Sequence, residues 1–238
     1  MRFLSVPYLL SLFPLPARTQ TCVPEVPCNF DRPTRYMALG DSLAAGYGAM
    51  PATQGYVYLL YQLGVFDSVE RMLFCNAGVP GASSLDVLEH QVPLAVNKFR
   101  PTTITLSVGG NDLLPLLDGV GLRQVLHTFH GNLEQILQRL RSGLPEANIY
   151  LNNLYCIPKI PQTGVIIPVL NRLISRVARA FDVPVADVYG AFRGKGGLLG
   201  IEHDGAPRNE VHPTNAGYRV MAQAFEEVVK RQNGNGRH

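Results

Sequence analysis

A serine hydroxyl becomes a nucleophile only when a base within hydrogen-bond reach takes its proton, and imidazole titrates in the range that suits this task. Two stretches supply these residue types. Ser42 stands in "YMALGDSLAAGYGAM", after a short apolar run and among small residues that would leave its side chain accessible. His212 stands in "NEVHPTNAGY", 170 positions later. Two further strings, "NAGVPGASS" from Asn76 and "GGND" from Gly109, combine glycine with asparagine. Glycine lets a backbone amide come close to a reacting atom, and an asparagine amide can donate to a developing negative charge.

These strings are far apart in sequence, so they act together only if the fold gathers them. From Thr34 onward, apolar runs at "RYMAL" (35–39), "RMLFC" (71–75), "TTITLSV" (102–108), "NIYLNNL" (148–154) and "VPVADVY" (183–189) read as strands by length, branched residues and flanking turns. Helix-like stretches alternate with them. The stripe Leu122, Val125, Leu126, Phe129, Leu133, Ile136, Leu137 and Leu140 has helical spacing. "SSLDVLEHQVPLAV" opens on a serine cap and carries Pro93, which should kink or interrupt it. Val165 to Phe181 and Ala216 to Arg231 complete the set, the last with Thr214 as its cap. Strand and helix in alternation predict an α/β fold: three layers, α/β/α, around a five-stranded parallel sheet, because parallel strands need crossover connections. In such a sheet ligands sit beyond the carboxyl ends of the strands. Ser42 follows the first strand, "NAGVPGASS" the second, "GGND" the third, and His212 the last, so all four arrive at one edge.

In these four blocks, from Tyr36 to about Ala224, the chain resembles the SGNH hydrolases, also called GDSL esterases and lipases. "GDSL" is similar to the family's first block, "NAGVPGASS" to its second, "GGND" to its third and "VHPTNAGY" to its last. The resemblance implies a flavodoxin-like SGNH hydrolase fold. It implies Ser42 as nucleophile, His212 as base, and an oxyanion hole from the amides of Ser42 and Gly81 and the side chain of Asn111. The glycine falls on Gly81 rather than Gly78 when the following serine pair is kept in register. The implied activity is hydrolysis of carboxylic esters through an acyl-serine intermediate, with no cofactor and no metal. One position departs from the pattern: the family usually has aspartate three residues before the histidine, and here that residue is Asn209. Asn209 could still accept the Nδ1 proton of His212, as the asparagine of Cys-His-Asn proteases does. Glu210, Asp204 and a main-chain carbonyl are the alternatives, and the substitution also raises the reading of a catalytically degenerate glycan- or lipid-binding protein.

Other residues carry plainer expectations. Gly46 and Gly48 do not extend into a dinucleotide-binding G-x-G-x-x-G. Asp112 reads as a cap for "LLPLL", Asp187 as a structural acceptor, and Tyr47 and Tyr155 as packing residues that could line a pocket. His90, His127, His130 and His203 read as structural. The apolar segments "LLPLL" (113–117) and "YCIPKIPQTGVIIP" (155–168) follow strands three and four, which predicts an apolar acyl pocket and short to medium acyl esters over acetylated sugars. Carboxylesterase, lysophospholipase, thioesterase and carbohydrate acetylesterase share the same catalytic strings.

Composition excludes several classes. The 238 residues are 46% hydrophobic and 16% charged with a formal charge of +3, so neither disorder nor a nucleic-acid-binding field is indicated. The apolar run from Phe3 to Leu15 is interrupted by proline and is shorter than the ~20 residues that span a bilayer, which points to a secretory signal rather than a membrane helix. The expected organisation is a signal and leader over 1–33, one domain over 34–232 and a flexible tail over 233–238. The expected location is extracellular or periplasmic, and cytoplasmic if the leader is not a signal. Cys22 and Cys28 in "CVPEVPC" could close a loop in an oxidising compartment, while Cys75 and Cys156, at the ends of apolar runs, read as buried free thiols. The ligand is an ester of a small molecule or lipid, and the oligomeric state is left open.

Overall fold

The computed structural model describes residues 33–200 and 211–235. Five strands, β1 (Thr34–Gly40), β2 (Met72–Asn76), β3 (Thr103–Ser107), β4 (Asn148–Asn152) and β5 (Val185–Ala186), form one sheet in the order β2-β1-β3-β4-β5. Every pairing is parallel. The chain therefore steps from β1 outward to β2 and then returns past β1 to β3. That reversal opens a crevice between the carboxyl ends of β1 and β3, the usual ligand position in a doubly wound sheet.

Side-chain alternation along the strands divides the core into two layers. On one face Met37, Leu39, Ile104, Leu106, Ile149 and Leu151 pack with three helical segments. These are α3, a run made of Ser84–Asp86, a π-helical turn Val87–Gln91, Val92–Leu94 and a second π-helical turn Ala95–Phe99; α4 (Leu122–Gly143); and α5 (Thr163–Ala180). On the other face Tyr36, Ala38, Tyr150 and Ala186 pack with α1 (Ser42–Ala45), α2 (Tyr56–Gln62), α6 (Val188–Phe192) and α7 (Asn215–Asn235). The α4 stripe is buried at Val125, Phe129, Leu133, Ile136, Leu137 and Leu140, as its spacing requires. Thr214 accepts from the amide of Gly217 at 3.1 Å and caps α7. Pro93 is accommodated by the π-helical turn before it, where Val92 N–H reaches back five residues to Val87.

Three expectations are corrected. The last strand ends at Ala186, because Asp187 turns the chain into α6 by accepting from Gly190 N–H at 2.9 Å, and its second contact, from Asn153 Nδ2 at 2.8 Å, holds it as a structural acceptor. Asp112 does not cap "LLPLL". It sits inside a 3-10 turn, Asn111–Leu116, and accepts from the amide and hydroxyl of Ser84 instead. Cys75 is disulfide-bonded rather than a free thiol. Cys156 is free and half-buried. The leader, with Cys22 and Cys28, lies outside the described residues, and α2 was not anticipated by the periodicity.

Candidate active site

Ser42 begins α1 directly beyond β1. The turn that delivers it passes against β3 so closely that a Cβ on Gly40 (φ 140°) would collide with the backbone oxygen of Ser107. Only glycine fits there. Asp41 accepts from Leu43 N–H at 2.9 Å and so caps α1, while the Ser42 N–H, at the first helical position, has no partner within the helix. His212 Nε2 and Ser42 Oγ are 2.8 Å apart.

His212 is held by its backbone neighbours. Gly200 N–H donates to its carbonyl at 2.8 Å, Thr214 N–H to Leu198 O at 2.9 Å, and Tyr155 O–H to Val211 O at 2.6 Å. The Tyr47 ring lies 4.8 Å from the imidazole, centroid to centroid. Burial pushes the His212 pKa below its ordinary value, so the neutral ring is the form present near neutral pH. Nδ1 is buried and has no hydrogen-bond partner among the described residues. Asn209, Glu210, Asp204 and His203 lie outside the described residues.

The second and third blocks meet beside this pair. Val79 N–H donates to Gly40 O, and Ala82 N–H returns to Val79 O, closing a turn in which Pro80 precedes Gly81 at φ 86°. That is the geometry of a type II turn, which favours glycine at this position. Gly81 N–H makes no hydrogen bond among the described residues, whereas Gly78 N–H is committed to Asn76 Oδ1 at 3.0 Å. Asn111 Nδ2 donates to Ala82 O at 2.9 Å and has a second N–H to offer. Asp112 then joins the blocks through Ser84, whose hydroxyl also accepts from Asn132 Nδ2 at 2.9 Å. Burial raises the Asp112 pKa against the opposing pull of the Ser84 hydrogen bonds. Burial raises Asp41 as well, to about 7.

Ser42, Asn111 and His212 line the end of a cleft of about 520 Å³. Its apolar lining comes from two segments, Leu113, Leu114, Leu116 and Leu117 in the first and Ile157, Ile160, Ile166 and Ile167 in the second, together with Leu154 and Tyr155. Gly81 is exposed. Three of the exposed large apolar side chains among the described residues, Leu114, Leu117 and Ile160, line this cleft. His90 and His127 are exposed, and His130 faces Glu134 at 3.9 Å on α4, away from the cleft. Among the described residues no cluster of histidine, cysteine and carboxylate side chains could hold a metal, and no helix is long and apolar enough to cross a membrane.

A serine within hydrogen-bond reach of a histidine, at the switch point of a five-stranded doubly wound sheet of flavodoxin-like order, is an arrangement suited to ester hydrolysis. Residues 38–220 match the GDSL-like lipase/acylhydrolase family, and the chain belongs to this family of ester-hydrolysing enzymes. Among curated proteins it is 26% identical over 205 residues to the spore germination lipase LipC of Bacillus licheniformis, covering 79% of this chain and 93% of that one. The fold is shared with an acetyl xylan esterase from Geobacillus stearothermophilus (TM-score 0.65, 18% identity, 82% of this chain and 94% of that one). It is shared too with phospholipase A1 from Streptomyces albidoflavus NA297 (TM-score 0.64, 20% identity, 83% and 100%).

Proposed function

We propose that this chain hydrolyses carboxylic esters of short to medium acyl chains through an acyl-serine intermediate. The observation that carries the reading is the 2.8 Å contact between Ser42 Oγ and His212 Nε2 at the end of an apolar cleft. His212 Nε2 takes the Ser42 proton as Oγ attacks the ester carbonyl carbon. The oxygen, now negative, is received by the N–H groups of Ser42 and Gly81 and by Asn111 Nδ2, and the loss of one such donor typically slows catalysis ~100 to 1,000-fold. Collapse expels the alcohol, which leaves with the proton from His212. Water, deprotonated by the same nitrogen, then attacks the acyl carbon and releases the acid with Ser42 restored.

The leucine and isoleucine walls receive the acyl chain, since burial of each methylene stabilises the complex by ~0.8 kcal/mol. Acetylated polysaccharide would leave those walls exposed to water. The Cys75 disulfide supports an extracellular or periplasmic location, because such bonds persist in oxidising compartments. The hydrolase is read as one domain over 34–232.

A fluorophosphonate probe tests the reading. Stoichiometric labelling that disappears in Ser42→Ala, with octanoyl and butyryl p-nitrophenyl esters cleaved in preference to acetylated xylan, is the expected result. Folded protein that takes no label overturns it, and a clear preference for the polysaccharide overturns the acyl assignment.

A further inference from the structure

Gly40 is the residue at which β1 loses a neighbour. Its preceding residues pair with β2 as far as Ala38 opposite Asn76, and Ala77 N–H still reaches Ala38 O at 2.9 Å. Beyond that point the chain following β2 keeps one contact, Val79 N–H to Gly40 O, and gives Gly40 N–H no backbone acceptor, although Gly40 continues to pair with Ser107 of β3 on the other side. The N–H and C=O of one residue in a strand point the same way, so both polar groups of Gly40 face the β2 side. Gln91 bonds to both: Oε1 accepts from Gly40 N–H at 2.7 Å, and Nε2 donates to Gly40 O at 2.8 Å. A carboxamide carries the same donor and acceptor as a peptide group, and here it supplies the acceptor that β2 does not and shares the oxygen with Val79 N–H.

The same Gly40 oxygen accepts from Val79 N–H at 3.0 Å, where the Pro80-Gly81 turn begins. One clamped residue thus connects the strand end leading to Ser42 with the turn carrying Gly81. Gln91 is 5% exposed and does not line the cleft. It is the last residue of the π-helical turn Val87–Gln91, a widened geometry that is frequent at functional sites.

We propose that Gln91 is a positioning residue for the oxyanion hole, holding the amides of Ser42 and Gly81 in register through Gly40. This rests on the reading of those two amides as donors to the reacting oxygen. Gln91 touches neither substrate nor reacting atoms. Its contribution is to fix where the donors stand, and a displacement of about 1 Å in such groups can cost ~100-fold in rate.

Gln91→Leu and Gln91→Glu test the assignment, measured by kcat and KM on p-nitrophenyl butyrate, by thermal midpoint and by inhibition with an alkyl boronic acid. The boronic acid adds to Ser42 Oγ and presents a tetrahedral, negatively charged oxygen to the hole. Gln91→Leu should lose roughly 10- to 100-fold in kcat and a similar factor in boronate affinity, with KM changed by no more than about twofold. Gln91→Glu adds a readout that general loss of stability would not move. A protonated carboxyl accepts from Gly40 N–H and donates to Gly40 O as the amide does, whereas the carboxylate cannot donate. The kcat of this variant relative to wild type should therefore fall as pH rises from about 5 to 9, and taking the ratio cancels the titration of His212. A folded Gln91→Leu with wild-type kcat and boronate affinity overturns the proposal. So does a pH-independent ratio for Gln91→Glu, which decides the matter even where the leucine variant fails to fold. Wild-type enzyme that neither cleaves ester nor binds boronate sinks the hydrolase reading itself, a result distinct from unaltered variants of an active enzyme.

Discussion

Tyr155, in the lining of the cleft, donates its phenolic O–H to the main-chain oxygen of Val211 at 2.6 Å, one residue before His212. A side chain that lines the cleft therefore also anchors the segment carrying the proposed base. Its ring is stacked on Phe192 with centroids 4.7 Å apart. Tyr155→Phe keeps that packing and deletes only the hydrogen bond, a neutral interaction worth ~1 kcal/mol. The expected result is a loss of up to about 10-fold in kcat with KM little changed. Steady-state kinetics on one soluble ester check it, and an unaltered kcat contradicts the anchoring role.

Burial lowers the His212 pKa, and the base acts only when neutral. The acidic limb of kcat/KM, which reports the free enzyme, should lie below the ordinary imidazole value of about 6.5. Asn209→Asp would add a negative charge three residues before the ring. If residue 209 faces Nδ1, the charge favours imidazolium and the limb moves to higher pH. A limb that stays in place excludes residue 209 as the partner of Nδ1.

Asp41 is buried, and its pKa is raised from 3.8 to about 7. The folded state therefore binds this proton more tightly than the unfolded state does. Its contribution to stability is fully present below about pH 3.8 and is lost as pH rises through about 7. Asp41→Asn retains an oxygen for Leu43 N–H without the buried charge. The Tm of Asp41→Asn minus that of wild type should accordingly increase between about pH 4 and pH 8. A difference that is constant across this range means that Asp41 ionises normally.

Leu114 and Ile160 both line the cleft and are both exposed. Replacing either by serine removes apolar contact from the outer part of a bound chain. Hydrolysis of octanoyl esters should fall by roughly 5- to 10-fold in kcat/KM, and that of acetyl esters by less than about twofold, at ~25 cal/mol per Å² of lost burial. Equal effects on both esters would remove the acyl chain from this cleft.

Much of the molecule was legible from local pattern. The stripe from Leu122 to Leu140 has a helical period and is buried along that period. The apolar runs at 35–39 and 148–154 begin strands that alternate between the two core layers, because side-chain direction is set by the backbone alone. The gathering of the candidate site's strings was legible for a related reason: each follows a strand, and a parallel sheet brings the ends of its strands to one edge. A run such as "VPVADVY" was misjudged because β-branched residues fit a strand whether or not the chain continues in one, and the Asp187 cap ended it after Ala186.

Sequence alone determined the residue types of the site, the order in which they arrive and the edge at which they gather, since these depend on periodicity and on strand-end position. Tertiary structure alone decided which polar groups are partners. Asp112 bonds to Ser84 across 28 residues and Gln91 to Gly40 across 51, and Tyr155 reaches Val211 across 56. A glutamine within the apolar stripe of Val87, Leu88, Val92 and Ala95 signals a buried polar role, but not the identity of its partner. Hydrogen bonds depend on distances of a few tenths of an ångström and on the direction of each donor, and these exist only once the sheet and its helices have packed.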